Sequence, residues 1–298
     1  MKIVYSHLLN LLDQQPKLKE LSDLLFQLGH EHEIDGEVLD MEITPNRGDC
    51  LSLKGLARDL NYFYQTKELP KSAMTLPALD LQFDNKAQDV CPNISFMQIE
   101  IEQVPTKYKS YLEAYFADLG INKNNFFTDI SNYLAYESGQ PTHCFDQNTM
   151  QGHFSLAKKK LKTKFKTLLD TEIELTEENL VFSLDDTVIS LAGIMGGAST
   201  ACSADTTKVL VECAYFKPQE ILGKARKYNL SSEAAYKFER GVDYLCQEEV
   251  LRRFLQIVSE HTEVKSVAFY SEQKKTTLAE VPYNADKLNA VIGIDISD

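Results

Sequence analysis

DISNYLAYESGQPTHCFD, residues 129–146, is the stretch from which the rest of the chain is read. It begins as a helix and ends at Gly139-Gln140-Pro141, where the proline cannot continue a helical hydrogen-bond ladder. His143 is therefore expected to project from the loop that follows, the kind of segment on which a rigid scaffold carries reactive side chains. Asn132, Glu137 and Asp146 fall within the same eighteen residues. Two readings stay open at this point. Asn132 and His143 could carry chemistry, or Asn132 and Asp146 could be caps and His143 a satisfied, half-buried ring.

Moving outward, the 298 residues are enough for two domains, or for one with an appendage. With 43% hydrophobic and 25% charged residues the chain has the composition of a soluble globular protein. Its six cysteines form no C-x-x-C pair and no framework spacing, so they read as reduced thiols of a cytoplasmic protein. The N-terminus lacks the pattern of a cleaved leader, and no apolar run reaches the roughly 20 residues that span a bilayer. A net charge of −13 argues against a protein that grips nucleic acid over its whole surface, because phosphate contacts need Lys and Arg. Basic charge is concentrated at Lys158–Lys166, which reads either as the exposed side of a strand or as a contact for RNA phosphate.

In chain order, Leu18, Leu21, Leu24, Leu25 and Leu28 make a helical stripe closed by Gly29, and a strand follows over 38–43. The segment TPNRGDC, residues 44–50, is a polar turn before a helix over 52–64; Arg47 and Asp49 could be a local ion pair or functional groups. Residues 65–92 look like a connector. A strand over 94–101 and a helix over 107–119 lead to the quoted stretch. Short strands are expected over 154–156, 160–168 and 179–182. The run VISLAGIMGG, residues 188–197, is a strand closing on glycines, which allow close approach of backbone to a ligand. A strand over 208–213 carries Glu212, which is paired or functional, since a bare buried carboxylate is costly. Helices are expected over 217–228, from Glu233 to Arg240 and over 246–260, followed by a strand over 264–270.

These motifs together resemble one family, the beta subunit of bacterial phenylalanyl-tRNA synthetase. The resemblance is carried by MEITPNRGDCLSLKGLARDL (41–60), DISNYLAYESGQPTHCFD (129–146), LAGIMGG (191–197), VLVECAYF (209–216) and YKFERGVD (236–243), in the family's order and with compatible spacing. It implies an α+β fold in three parts: an N-terminal α+β domain over 1–85, an editing domain over 86–272, and the start of a further module over 273–298. It also implies hydrolysis of tyrosine mischarged onto phenylalanine tRNA. A hydrophobic pocket rejects an isostere with an added hydroxyl only about a hundredfold, so a second site must read that hydroxyl.

By the same resemblance His143 and Asn132 are catalytic-site groups, Gly193 and Gly196 line the pocket, and Glu212 accepts a hydrogen bond from the tyrosine hydroxyl as an acceptor-only carboxylate. Ser232 and Ala234 match pocket residues in the turn before the YKFER helix; the usual threonine is serine at 232. Backbone donors around Gly193–Gly197 are expected to steady an oxyanion, with His143 orienting water or a ribose hydroxyl. No cofactor or metal is implied for this chain; ATP and Mg belong to the complete synthetase. Phenylalanine tRNA, the alpha subunit and tyrosine are the implied partners. The sequence departs from the family in lacking an inserted oligonucleotide-binding fold between Glu33 and Glu42, so tight tRNA binding by this chain alone is not expected. It also stops before the catalytic-like and anticodon-binding modules, as a fragment or a stand-alone relative would. The alternative is a non-catalytic module that binds an aromatic amino acid or RNA, or serves as an assembly scaffold.

Overall fold

The computed structural model describes residues 1–67, 75–274 and 280–295. It is an α+β fold in which one antiparallel sheet separates two hydrophobic interiors. That sheet has four strands in the order Val264–Gln273, Asn93–Ile101, Lys208–Tyr215 and His143–Asp146. Alternation along the strands splits their side chains between its faces. Met97, Ile99, Val209 and Val211 meet the helices Ser110–Leu119, Phe126–Ser138 and Gln247–His261 on one side, in a core shared with the N-terminal residues. Phe96, Leu210 and Ala214 point to the other side, where they pack under a five-stranded sheet.

The five-stranded sheet runs Met195–Gly196, Thr187–Leu191, Glu178–Leu184, Phe154–Lys160 and Phe83–Asn85. Its last strand pairs in parallel with Phe154–Lys160, so the interval read as a plain connector supplies a sheet edge. A hairpin of Thr163–Lys166 and Glu172–Leu175 stands apart from it. The lysine-rich run is thus divided between two sheets. Lys158 pairs with Glu220 at 2.8 Å, Lys164 with Glu172 at 2.7 Å and Lys166 with Asp170 at 2.8 Å.

The N-terminal layer has the strands Lys2–Val4, Val38–Glu42 and Glu31–Asp35, covered by the helices Leu18–Gln27 and Leu53–Leu60. Asp35 pairs with Val38, so two residues join the strands that flank the position of the insertion missing from the sequence. TPNRGDC holds a short 3₁₀ segment, Pro45–Cys50, kinked at Arg47, and is followed by Ser52, whose hydroxyl caps the next helix by accepting from Gly55 N. Arg47 and Asp49 do form the local ion pair, at 3.0 Å, and Arg47 also reaches Asp59 at 2.5 Å. The helix expected over 217–228 is broken at Leu222-Gly223 into Pro218–Ile221 and Lys224–Lys227. Near the C-terminus a helix spans Ala285–Ile292, with Asn284 as its cap; parts of the further module expected over 273–298 lie outside the described residues. No described helix is long and apolar enough to cross a membrane.

Candidate functional site

The quoted stretch folds as a helix, a turn and a strand. Asn125 caps Phe126–Ser138 by accepting from Thr128 N. The helix ends at Gly139, where φ is +80°, a conformation that costs a residue with a Cβ more than it costs glycine. Gln140 then donates through Nε2 to Ala214 O at 3.0 Å, fastening the turn to the central sheet. His143 does not sit on a loop: it opens the strand His143–Asp146. Pro141 keeps the chain from resuming the helix after Gly139, but the chain is caught at once by pairing with Lys208–Tyr215, a contact remote in sequence that local reading could not supply.

Register brings the chemistry together. His143 lies directly opposite Glu212, and Glu212 lies opposite Phe96 on its other side. Directly opposed residues hold their side chains on one face about 5 Å apart at Cβ. Both rings and the carboxyl therefore belong to the side that faces the five-stranded sheet. The His143 ring stands edge-on to Phe145 with centroids 4.4 Å apart.

A cavity of about 560 Å³ opens beside them, and His143, Asn132, Gly193, Gly196, Glu212, Ser232 and Ala234 all line it. The structure thus gathers all seven site residues named from the sequence. Their local duties differ. Glu212 is 4% exposed and its Oε1 has no hydrogen-bond partner. Burial alone pushes its carboxyl up to about 8, so near neutrality it is held mostly as the neutral acid. This corrects the expectation of an acceptor-only carboxylate, because the neutral acid has one donor as well. The Nε2 of His143 is also buried without a partner, and burial lowers this imidazole to about 4, keeping it neutral.

Ser232 has committed most of its hydroxyl. It caps the helix Glu233–Arg240 by accepting from Ala235 N and donates to Ile194 O at 2.6 Å. It ties the glycine run to that helix. Asn132 is half-buried, and its side chain makes no hydrogen bond among the described residues. Gly193 adopts φ +69°, and a Cβ there would meet Phe216 Cδ2 at 2.9 Å, pointing into the core behind the cavity. Gly196 backs the imidazole: a Cβ would lie 2.9 Å from His143 Nε2. The amides of Ile194 and Gly197 donate to Leu191 O and Ile189 O, so neither is available to an oxyanion as expected.

Other polar groups of the stretch are structural. Glu137 is 2% exposed and takes Arg253 through two oxygens at 2.9 and 3.0 Å. Asp146 accepts from Thr206 Oγ1 and from Asn148 N. Sequence reading missed Leu168 and Leu169 at the lip of the cavity and Cys144 and Cys202 in its wall. The signal for the leucines is a Leu168-Leu169 pair between Lys166 and Asp170, and at this hairpin tip they are 39% and 63% exposed. Away from the cavity, His30, Cys50 and Asp59 bring one ligand atom each within 4.8 Å of one another, but Arg47 already lies 2.7 Å from Cys50 Sγ and supplies the positive charge.

The B3/4 domain family profile matches residues 95–263. Among curated proteins the chain is similar to the phenylalanine–tRNA ligase beta subunits of Psychrobacter arcticus, at 30% identity over 88% of this chain and 34% of that protein. It is likewise similar to those of Neisseria gonorrhoeae, at 31% over 89% and 34%, and Burkholderia lata, at 32% over 88% and 33%. The chain therefore spans about a third of the length of these relatives. A crystal structure of an N-terminal fragment of the phenylalanyl-tRNA synthetase beta subunit from Pyrococcus horikoshii superposes with a TM-score of 0.46 at 15% identity, covering 100% of this chain and 86% of that one.

Proposed function

The chain belongs to the B3/4 domain family, and from that premise we propose that it hydrolyses the ester linking tyrosine to the 3′ end of phenylalanine tRNA. The observation that carries this reading is the pairing of two buried, unpartnered polar atoms, Glu212 Oε1 and His143 Nε2, in the wall of one cavity. A buried polar group left without a partner costs about 1–3 kcal/mol, so such atoms call for a ligand that completes them.

A tyrosine side chain fits that requirement. Phe238 and Leu191 offer apolar contact in the lining, and the phenol hydroxyl meets Glu212. The neutral carboxyl can accept the phenol proton and donate its own to the phenol oxygen. Phenylalanine in the same position leaves the carboxyl unpaired, so selectivity arises from the penalty on the wrong ligand rather than from added attraction to the right one.

His143, neutral and edge-on against Phe145, holds a water or a terminal ribose hydroxyl beside the ester. Among the described residues no carboxylate or carbonyl is hydrogen-bonded to the ring, so its role is to position the nucleophile, with a rate gain from orientation. Asn132 has its amide free to orient the ester carbonyl. The alpha subunit and the remainder of a beta subunit are the partners that would deliver the tRNA. The test is release of tyrosine from tyrosyl-tRNA by the purified chain, alone and with the other synthetase modules added. No release in either case refutes the hydrolytic reading, and tyrosine binding without release would make the chain a binding module instead.

A further inference from the structure

TPNRGDC lies outside the cavity, and the proposed chemistry makes no use of Arg47 or Asp49. The backbone around it nevertheless touches both walls of the pocket. One wall begins at Gly139, four residues before His143. A Cβ on Gly139 would lie 3.3 Å from Ser52 Cβ and 3.7 Å from Leu51 O, so the turn toward His143 rests directly on residues 51–52. The other wall is the N-terminal turn of Glu233–Arg240, which carries Ala234. One turn further along that helix, Lys237 is 4% exposed and donates through Nζ to the same Leu51 O at 2.5 Å. At the end of the helix a Cβ on Gly48 would fall 2.7 Å from Gly241 O and 2.9 Å from Arg240 O.

We infer that residues 48–52 are a clamp that sets the separation of the His143 wall and the Ala234 wall. Leu51 O is the shared point: it faces Gly139 on one side and receives Lys237 on the other. Arg47 and Asp49 acquire a task in this arrangement. Their ion pair, with the 2.5 Å contact from Arg47 to Asp59, fixes the short 3₁₀ helix to Leu53–Leu60 and makes the clamp rigid. Lys237 is a positioning residue, since its ammonium acts through a backbone carbonyl and does not line the cavity. The catalytic part of this inference rests on the hydrolytic reading; the geometric part does not.

The experiment uses the full 298-residue chain and the variants Gly48→Ala and Lys237→Met. Leu21→Ala serves as a control that hollows the same N-terminal core away from the clamp. At a temperature where circular dichroism shows all of them folded, amide exchange is followed at 139–145 and 231–236, and kcat and KM are measured on tyrosyl-tRNA. Gly48→Ala and Lys237→Met should raise exchange about tenfold in both segments and lower kcat by roughly ten- to a hundredfold, as small misplacements do, with KM nearly unchanged. Leu21→Ala should lower Tm and leave both readouts at the wild-type level. Exchange changes confined to 44–60, or a Leu21→Ala variant that matches the other two, would overturn the clamp. If the wild-type chain does not hydrolyse the ester, the hydrolytic reading falls and the two exchange segments alone decide the clamp.

Discussion

Replacing Glu212 by Gln should change the pH dependence of stability by an amount that follows from its burial. Glutamine keeps the shape and removes the titration. In the wild-type chain the folded state holds the Glu212 proton up to about pH 8, whereas an unfolded glutamate releases it near 4.5. The sign follows from linkage. Stability from the retained proton is fully present below about pH 4.5 and is lost as pH rises toward 8. Each pH unit in that window is worth about 1.36 kcal/mol. Between pH 5.0 and 7.5, after allowing for curvature at the ends, the wild-type chain should lose about 3 kcal/mol relative to Glu212→Gln. Other titrating groups are common to both proteins and cancel in the difference, including His143, whose effect runs the opposite way. Urea unfolding at the two pH values measures it, since the linear extrapolation yields the free energy of each. A difference between the two proteins that stays constant within about 0.5 kcal/mol, against the 3 kcal/mol expected from linkage, would show that Glu212 is solvated and charged, and would remove the neutral carboxyl from the account.

Hydrolysis should stay flat from pH 7 to 5, because a buried imidazole lowered to about 4 remains neutral there; a fall centred near 6.5 in the pH–rate profile would contradict that. Gly196→Ala, whose new methyl would overlap His143 Cε1 and lie 2.9 Å from its Nε2, forces the buried imidazole to shift and should cut kcat at least about tenfold, with a fall in Tm as well. Arg253→Met leaves the Glu137 carboxylate buried without its bidentate partner and should cost about 3–5 kcal/mol by urea unfolding, with a loss below about 1 kcal/mol counting against a buried pair.

How much of this could be read from the sequence depends on how local the cause was. The helix Phe126–Ser138 was legible only in part: the Gly139-Gln140-Pro141 break marks its end, but residues 125–136 suit a strand as well as a helix until the Asn125 cap is seen. Glu212 stood out as a carboxylate closing the apolar run Val209–Val211, and seven residues drawn from four separated stretches do meet in one cavity. The strand at His143 was not legible, because it exists through pairing with Lys208–Tyr215, more than sixty residues on. Phe83–Asn85 and Glu172–Leu175 are three and four residues long, too short for alternation to register. The protonation of Glu212 depends on which groups surround it in space: among the described residues no cation opposes its burial. Likewise the double duty of Ser232, as cap and as tie to Ile194 O, follows from the approach of two loops that are forty residues apart. The amides of Ile194 and Gly197 looked available in sequence and are spent on Leu191 O and Ile189 O.

The central claim is that this cavity reads the tyrosine hydroxyl at Glu212 and cuts the ester beside His143. The most direct measurement is the ratio of kcat/KM for tyrosyl-tRNA over phenylalanyl-tRNA, taken for the wild-type chain and for Glu212→Leu. The account predicts a ratio of about a hundredfold for the wild type, from a penalty of about 1–3 kcal/mol on the carboxyl that phenylalanine leaves unpaired. It predicts a ratio near one for Glu212→Leu, mainly through faster loss of phenylalanine discrimination rather than loss of all hydrolysis. Equal rates on both esters in the wild type, or a wild-type ratio that survives in Glu212→Leu, would contradict it.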